Sequence, residues 1–292
     1  MVKIARFVSL IPHMFLLLMS IACIFPVVLV VSTSLSNLQN LYTYGYTFIP
    51  KQISWDAYSY IFLDSAKIFR AYGISIFVTI VGTCLSVLLL AMIAYPLSRR
   101  SYVYNRPLML FVFFTMLFNG GLVPFYIVVT RYLHLKDSIW ALILPYLIVP
   151  WFVLLMRTFF QSIPGEIIEA AKVDGCSEYR IFFGIILPLS RPALATIALL
   201  SILKYWNDWW LGLLFIDNEQ SVPLQLMLYR IMTNIQELAR AAAESGIRET
   251  IEFPAESARM AIAVIVAGPM LFVFPFFQKY FVTGLTVGAI KG

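Results

Sequence analysis

Charge is scarce in this chain of 292 residues, 12% of which are charged and 61% hydrophobic; a soluble domain carries about 25% and roughly 45–50%. That shortage excludes an ordinary soluble globular protein. Cysteine is equally thin: Cys23, Cys84 and Cys176 have no paired spacing, which excludes a disulfide framework and a four-thiolate zinc site. The two histidines, His13 and His134, add no metal-ligating cluster. No Gly-x-x-x-x-Gly-Lys-Ser/Thr loop cradles a phosphate, so any ATP used in this protein's work must be held by another chain. No catalytic residue, metal or cofactor is therefore assigned to the chain itself. The net charge of +6 would suit nucleic acid, but the charges lie between the apolar runs, and no nucleic-acid partner is expected.

What is abundant is apolar length. Six runs of about 20 residues, the span of a bilayer core, lie near 10–33, 72–97, 107–129, 138–156, 190–216 and 260–281. They predict an all-α membrane protein with six transmembrane helices, multi-pass in the lipid bilayer, with both termini on one side. Placing the termini inside puts eleven Lys and Arg in inner segments and nine in outer ones. Arg99, Arg100 and Arg106 in one short loop are the best support for that orientation. The outer segments, about 34–71 and 217–259, are too short to build cores of their own, so residues 1–292 are read as a single membrane domain.

The inner segment between the fourth and fifth runs is more specific. It reads Ser162-Ile-Pro-Gly-Glu-Ile-Ile-Glu-Ala-Ala-Lys-Val-Asp-Gly175 and continues through Cys176 to Pro188. Pro164 suits a first helical turn, Glu166 and Glu169 place negative charge near the positive helix end, and Gly175 stops the helix by adopting a left-handed conformation. A second helix then sets Tyr179, Phe182, Phe183 and Ile186 on one apolar stripe before Pro188 interrupts it. By composition the segment is either a helical hairpin resting on the inner leaflet or under its own bundle, or a docking element for a partner.

The order of these residues resembles the cytoplasmic loop of the membrane subunits of binding-protein-dependent ABC importers: Glu-Ala-Ala, three residues, Gly, nine residues, Ile-x-Leu-Pro. Here Glu169-Ala170-Ala171, Gly175 and Ile185-Ile186-Leu187-Pro188 keep that spacing throughout. The resemblance implies the type I importer permease fold, in a bacterial cytoplasmic (inner) membrane with both termini cytoplasmic. It makes Pro164–Asp174 a coupling helix that docks on a separate ATPase, with Ala170 and Ala171 permitting close approach, Glu169 offering an acceptor and Gly175 setting the interhelical angle. Implied partners are a second, different permease, two ATPase subunits holding ATP and Mg, and an extracytoplasmic sugar-binding protein. The stretches Asn119–Pro124, Trp140–Pro145, Trp206–Trp210 and Gly284–Gly292 resemble the carbohydrate-uptake branch, in particular the second permease of oligosaccharide importers. By the same resemblance the outer segment 217–259 faces the binding protein; its alternative is an amphipathic helix on the membrane surface, with Leu224, Met227, Leu228 and Ile231 at helical spacing.

Candidates for the substrate pathway follow from polar residues at membrane depth. Lys204 and Asp208 lie four apart in the fifth run and form either a self-neutralising pair or a proton relay. Trp206 and Trp209 could stack on sugar rings while Asn207 and Asp208 bond hydroxyls, or the tryptophans could belong to the outer aromatic belt. Asn119 and Gly120, ahead of Gly121 and Pro124, fall roughly 18 Å into the third run. They interrupt the helix either to present polar groups to a pathway or as a plain packing kink. An importer for a non-sugar solute and a proton-coupled secondary transporter are the rival functions.

Overall fold

The computed structural model describes residues 2–244 and 255–289, and these are helices joined by short turns. Among them the extended backbone pairs only in one isolated bridge, Ser36 to Ile53. Three helices are long and apolar enough to cross a bilayer unbroken: Pro12–Ser34, Ser65–Ser98 and Glu256–Gln278. The other three apolar runs fold as bent pairs, giving six spans if each pair crosses once. Asn105–Leu117 and Leu122–Tyr132 meet at 111°, Trp140–Tyr146 and Pro150–Ser162 at 51°, and Glu178–Leu189 and Arg191–Trp206 at 78°.

The fifth apolar run, expected near 190–216, is not one continuous helix. The helix Arg191–Trp206 ends at Trp206, and Trp210–Phe215 is a separate short helix. Asp208 stands between the two and helps to start the second: its carboxylate accepts the Leu211 N–H at 3.2 Å, the local hydrogen bonding that makes Asp a capping rather than an interior residue. The bent partner of Arg191–Trp206 lies on the other side, in the inner loop.

The chain divides into two compact units. One comprises Met1–Ala66 with Leu228–Pro269. None of the most apolar stretch of its N-terminal span is buried in the chain, and Met14 to Leu18 are each more than half exposed. Below this span, hydroxyls tie the segments together. Ser32 donates to the Thr47 carbonyl at 2.6 Å, Ser34 and Tyr58 share a hydrogen bond of 2.9 Å, and Ser257 donates to the Ser36 carbonyl at 3.1 Å.

The other unit comprises Lys67–Met227 with Met270–Gly292 and holds two cores. In the first, Leu90, Ala94 and Leu97 of the Ser65–Ser98 helix pack with Met156 and Phe160, with Ile168, Ile181 and Ile186, and with Ile197. In the second, Val78 packs with Leu142, Ile143, Tyr205, Phe215 and Leu226. In hydrocarbon every backbone group freed by a bend must find a partner, and side chains provide several. Ser86 donates to the Leu147 carbonyl at 2.8 Å, Tyr205 to the Ile143 carbonyl at 3.0 Å, and Arg157 Nε to the Leu97 carbonyl at 2.8 Å. The helix Leu224–Glu244 begins in this unit, where Leu224 and Leu226 are buried and Met227 half-buried; in its continuation in the first unit Leu228 and Ile235 are buried and Ile231 half-buried.

Candidate functional site

The inner loop folds as helix, turn, helix. Pro164 stands just ahead of the helix Gly165–Val173, with Glu166 in the first turn and Lys172 in the last. Gly175 ends it at φ +73°, a conformation that costs any residue with a Cβ. The Cys176 N–H then donates to the Ala171 carbonyl and the Gly175 N–H to the Lys172 carbonyl, both at 3.0 Å. This is the Schellman closure of a helix C-terminus. Ser177 caps the following helix Glu178–Ile181, accepting the Arg180 N–H at 3.4 Å. An ion pair of 2.6 Å between Lys172 and Glu178 staples the two helices, and Tyr95 of the long span donates to the other Glu178 oxygen at 2.9 Å.

The loop's two faces do different work. Ile168, Ala171, Ile181, Phe182 and Ile186 are buried in the first core. Pro164, Glu166, Glu169, Ala170, Asp174, Gly175, Tyr179, Phe183 and Pro188 are exposed. Two expectations are corrected. Ala171, expected beside Ala170 on the outward face, is 6% exposed and packs inward; at 100° per residue two adjacent helical positions cannot share a narrow face. The single stripe of Tyr179, Phe182, Phe183 and Ile186 is divided, with Tyr179 78% and Phe183 50% exposed but Phe182 and Ile186 buried. There the helix widens into a π-type turn over Phe182–Ile186, which rotates successive side chains away from the 3.6-residue repeat.

The broken spans place the other candidates. Asn119, exposed at the 111° bend, accepts the Gly121 N–H on Oδ1 at 2.9 Å, and Gly121 takes φ +86°. Gly120 is exposed beside it. At the end of Arg191–Trp206, Lys204 and Asp208 do not pair directly. Asp208 has left the helix, so four residues no longer bring the two side chains together. Tyr146 connects them instead: its hydroxyl donates to Asp208 Oδ1 at 2.8 Å, and Lys204 Nζ stands 4.1 Å from its ring centroid. Trp206 is 3% exposed and faces Tyr72 at 6.3 Å between ring centroids. Trp209 and Trp210 are 37% and 41% exposed and meet edge to face. Asn207 is exposed, with its amide donating to the Leu203 carbonyl. The stretch Gly284–Gly292 lies outside the residues whose side chains are described.

Sequence reasoning missed Tyr146, Tyr95 and Arg99 as parts of these sites. Tyr146 carried no signal beyond standing one residue after Pro145 in an apolar run. Arg99 served only as an orientation marker, although its guanidinium lies 4.7 Å from the Tyr95 ring centroid. Asp137 was missed too. It takes φ +60°, and its Oδ1 accepts the N–H groups of Asp217 at 2.6 Å and Asn218 at 2.8 Å. The Asn218 and Asp217 N–H groups together hold this carboxyl below the usual carboxylate range.

A protein of several membrane-spanning helices is the class that these spans define. Comparison with known proteins specifies it further. Residues 70–287 match the binding-protein-dependent transport system inner membrane component family, and the chain belongs to that family. It is 38% identical over 287 residues, 98% of this chain and 99% of the relative, to the polygalacturonan/rhamnogalacturonan transport system permease protein YtcP of Bacillus subtilis. It is 30% identical over 92% of this chain and 91% of the relative to the arabinooligosaccharides transport system permease protein AraQ of Halalkalibacterium halodurans. The fold matches a chain from the crystal structure of a bacterial ABC transporter involved in the import of the acidic polysaccharide alginate, with a TM-score of 0.79, 28% identity, and coverage of 94% and 97%. The all-helical permease expected from the sequence is therefore the fold observed. Family membership sets aside the proton-coupled secondary transporter.

Proposed function

We propose that this chain is the permease subunit of an ATP-driven importer that carries a carbohydrate, an oligosaccharide in particular, across the cytoplasmic membrane. The relatives support the substrate class, since those named transport pectic polysaccharides, arabinooligosaccharides and alginate. The chain acts as one permease domain, 1–292, with both termini cytoplasmic, beside a second and different permease. An extracytoplasmic sugar-binding protein delivers the solute to its outer segments. Two separate ATPases hold ATP and Mg and supply the work.

One observation carries the coupling role. The helix Gly165–Val173 is anchored by Ile168 and Ala171 in the chain's own core while Glu166, Glu169 and Ala170 point away from it. A lever needs both properties: a rigid seat and an open contact face. Movement of the ATPases pressed on that face would pass through Ile181, Phe182 and Ile186 to the spans, shifting the permease pair between inward-open and outward-open states. Within the pathway, Asn119, Gly120, Asn207 and Trp209 are the groups that a sugar can reach. Trp206 and Asp208, buried or bonded internally, shape the break that presents Asn207 and Trp209.

The test is purification through a C-terminal tag in mild detergent, identification of co-purifying chains, and ATP-driven uptake by the complex in vesicles. Recovery of an ATPase and a second six-span chain is expected, with uptake that depends on a sugar-loaded binding protein. Gly175→Pro and Glu169→Lys are expected to abolish uptake while the complex still reaches the membrane. Normal uptake by both variants would remove the loop from the mechanism, and stimulation by a non-sugar solute alone would overturn the substrate class.

A further inference from the structure

A cleft of about 490 Å³ opens at the end of the Ser65–Ser98 helix, against the coupling loop. Its lining is mixed: Met92, Pro96, Phe182 and Phe183 are apolar, and Arg99, Ser101, Tyr102, Lys172 and Glu178 are polar. The charges in it are not evenly matched. Lys172 is ion-paired with Glu178, whose second oxygen accepts the Tyr95 hydroxyl. Arg99 has no such ion pair: its Nε and Nη2 are buried without a hydrogen-bond partner, and its guanidinium rests on the Tyr95 ring.

Buried donors on a cation are costly when left unmade. The group that meets a guanidinium best presents two oxygens side by side, as a phosphate does. Arg99 lines the cleft and is itself only partly buried, so a ligand there reaches those donors once it draws the guanidinium outward. The apolar part of the lining asks for hydrocarbon. One ligand has both halves and is present at the end of a membrane span: a phospholipid. With one uncompensated positive charge in the cleft, the favoured headgroup is acidic.

We propose that this cleft binds an acidic phospholipid, its phosphate on Arg99 and the start of an acyl chain along Met92, Pro96 and Phe183. The site joins the span to the loop that meets the ATPase, so the lipid wedges the seat of the lever. The assignment to the inner leaflet rests on the coupling reading above; the binding chemistry does not.

The experiment is native mass spectrometry of the purified importer complex during titration with phosphatidylglycerol, phosphatidylcholine or inorganic phosphate. The wild-type complex should hold one phosphatidylglycerol at this chain about tenfold more tightly than phosphatidylcholine. Arg99→Gln should abolish that preference. Met92→Trp, which fills the apolar part of the cleft and leaves Arg99 in place, should weaken retention of both lipids. Equal retention of the two lipids by the wild type, or wild-type preference in both variants, would overturn the proposal. So would displacement of the lipid by inorganic phosphate at equal concentration, which would mark a free-phosphate site, or retention only after the ATPase is stripped away. Recovery of the ATPase is read from the same spectra as a separate mass, so failure of the coupling reading and failure of the lipid site are distinguishable.

Discussion

Tyr205 occupies the space that a side chain at Gly82 would need: a Cβ built on Gly82 meets the Tyr205 ring at 2.6 Å. The hydroxyl of the same tyrosine donates to the Ile143 carbonyl, so one ring closes the Ser65–Ser98 helix, the Arg191–Trp206 helix and the bend after Ile143 on one another. Gly82→Ala is expected to displace the ring and strip that carbonyl of its donor, a destabilisation of about 1–3 kcal/mol for an overpacked core. Thermal unfolding of the purified complex checks it. Gly73→Ala is the control, because a Cβ there meets nothing within 4 Å.

Asp208 and Tyr146 act as a unit at the broken end of Arg191–Trp206. Tyr146→Phe removes one hydrogen bond and should cost about 1 kcal/mol, whereas Asp208→Ala frees both the Tyr146 hydroxyl and the Leu211 N–H and should cost about 1–3 kcal/mol. The double variant should cost less than the sum, because both changes delete the same contact. Asp208→Asn should keep ATP-driven uptake that is insensitive to ionophores. Loss of all uptake in that variant, with the complex intact, would restore a proton-relay role for this carboxyl.

Asp137 joins the loop before Trp140 to the turn after Phe215. Its carboxyl is held below the usual range by the Asn218 and Asp217 N–H groups, so the ionised form is the one that folding favours. Its stabilising contribution is therefore fully present above the unfolded value, about 3.9, and is lost as pH falls through the lower folded value. In thermal unfolding, Asp137→Gly, which relieves the positive φ but removes the acceptor, should be less stable than wild type at pH 7, with the difference closing below about pH 4. Asp137→Asn, which keeps an acceptor at Oδ1, should lie between them and show no pH dependence from this site. The exposed Lys136–Asp217 ion pair, 2.7 Å, is expected to matter less than the Asp137 contacts, as solvent-screened pairs do.

Gly175 sets the angle between the helix Gly165–Val173 and the helix that follows it. With φ at +73°, uptake should fall in the order glycine, asparagine, alanine, proline. Asparagine tolerates the left-handed region, alanine pays about 1–2 kcal/mol there, and proline can neither adopt it nor supply the N–H that now reaches the Lys172 carbonyl. Uptake rates in vesicles at equal complex content give the ranking. An alanine variant equal to the proline variant would show that close contact, rather than backbone conformation, demands glycine.

Most of the architecture was legible because its causes are local. The apolar runs had to become bilayer spans, Asn119-Gly120-Gly121 had to loosen one of them, and Gly175 had to end a helix, since each follows from hydrophobicity or from allowed backbone angles. The site was legible only in part. Ala170 and Ala171 are alike in sequence and face opposite ways, and Phe182 and Phe183 differ only in which one the first core takes up. Trp206 read either as a sugar platform or as an aromatic-belt residue but is buried against Tyr72.

The sequence by itself determined that this chain lives in a membrane, that one span breaks at Asn119-Gly120-Gly121, and, through the spacing from Glu169 to Pro188, which family it resembles. Only the tertiary structure decided which side of that loop is free, that Tyr146 stands between Lys204 and Asp208, and that Arg99 faces a cleft with donors to spare. The reason is range. Backbone conformation and hydrophobicity act over a few neighbouring residues, whereas Tyr146 and Asp208 are 62 positions apart and Tyr95 and Glu178 are 83, so their chemistry exists only once packing has brought them together.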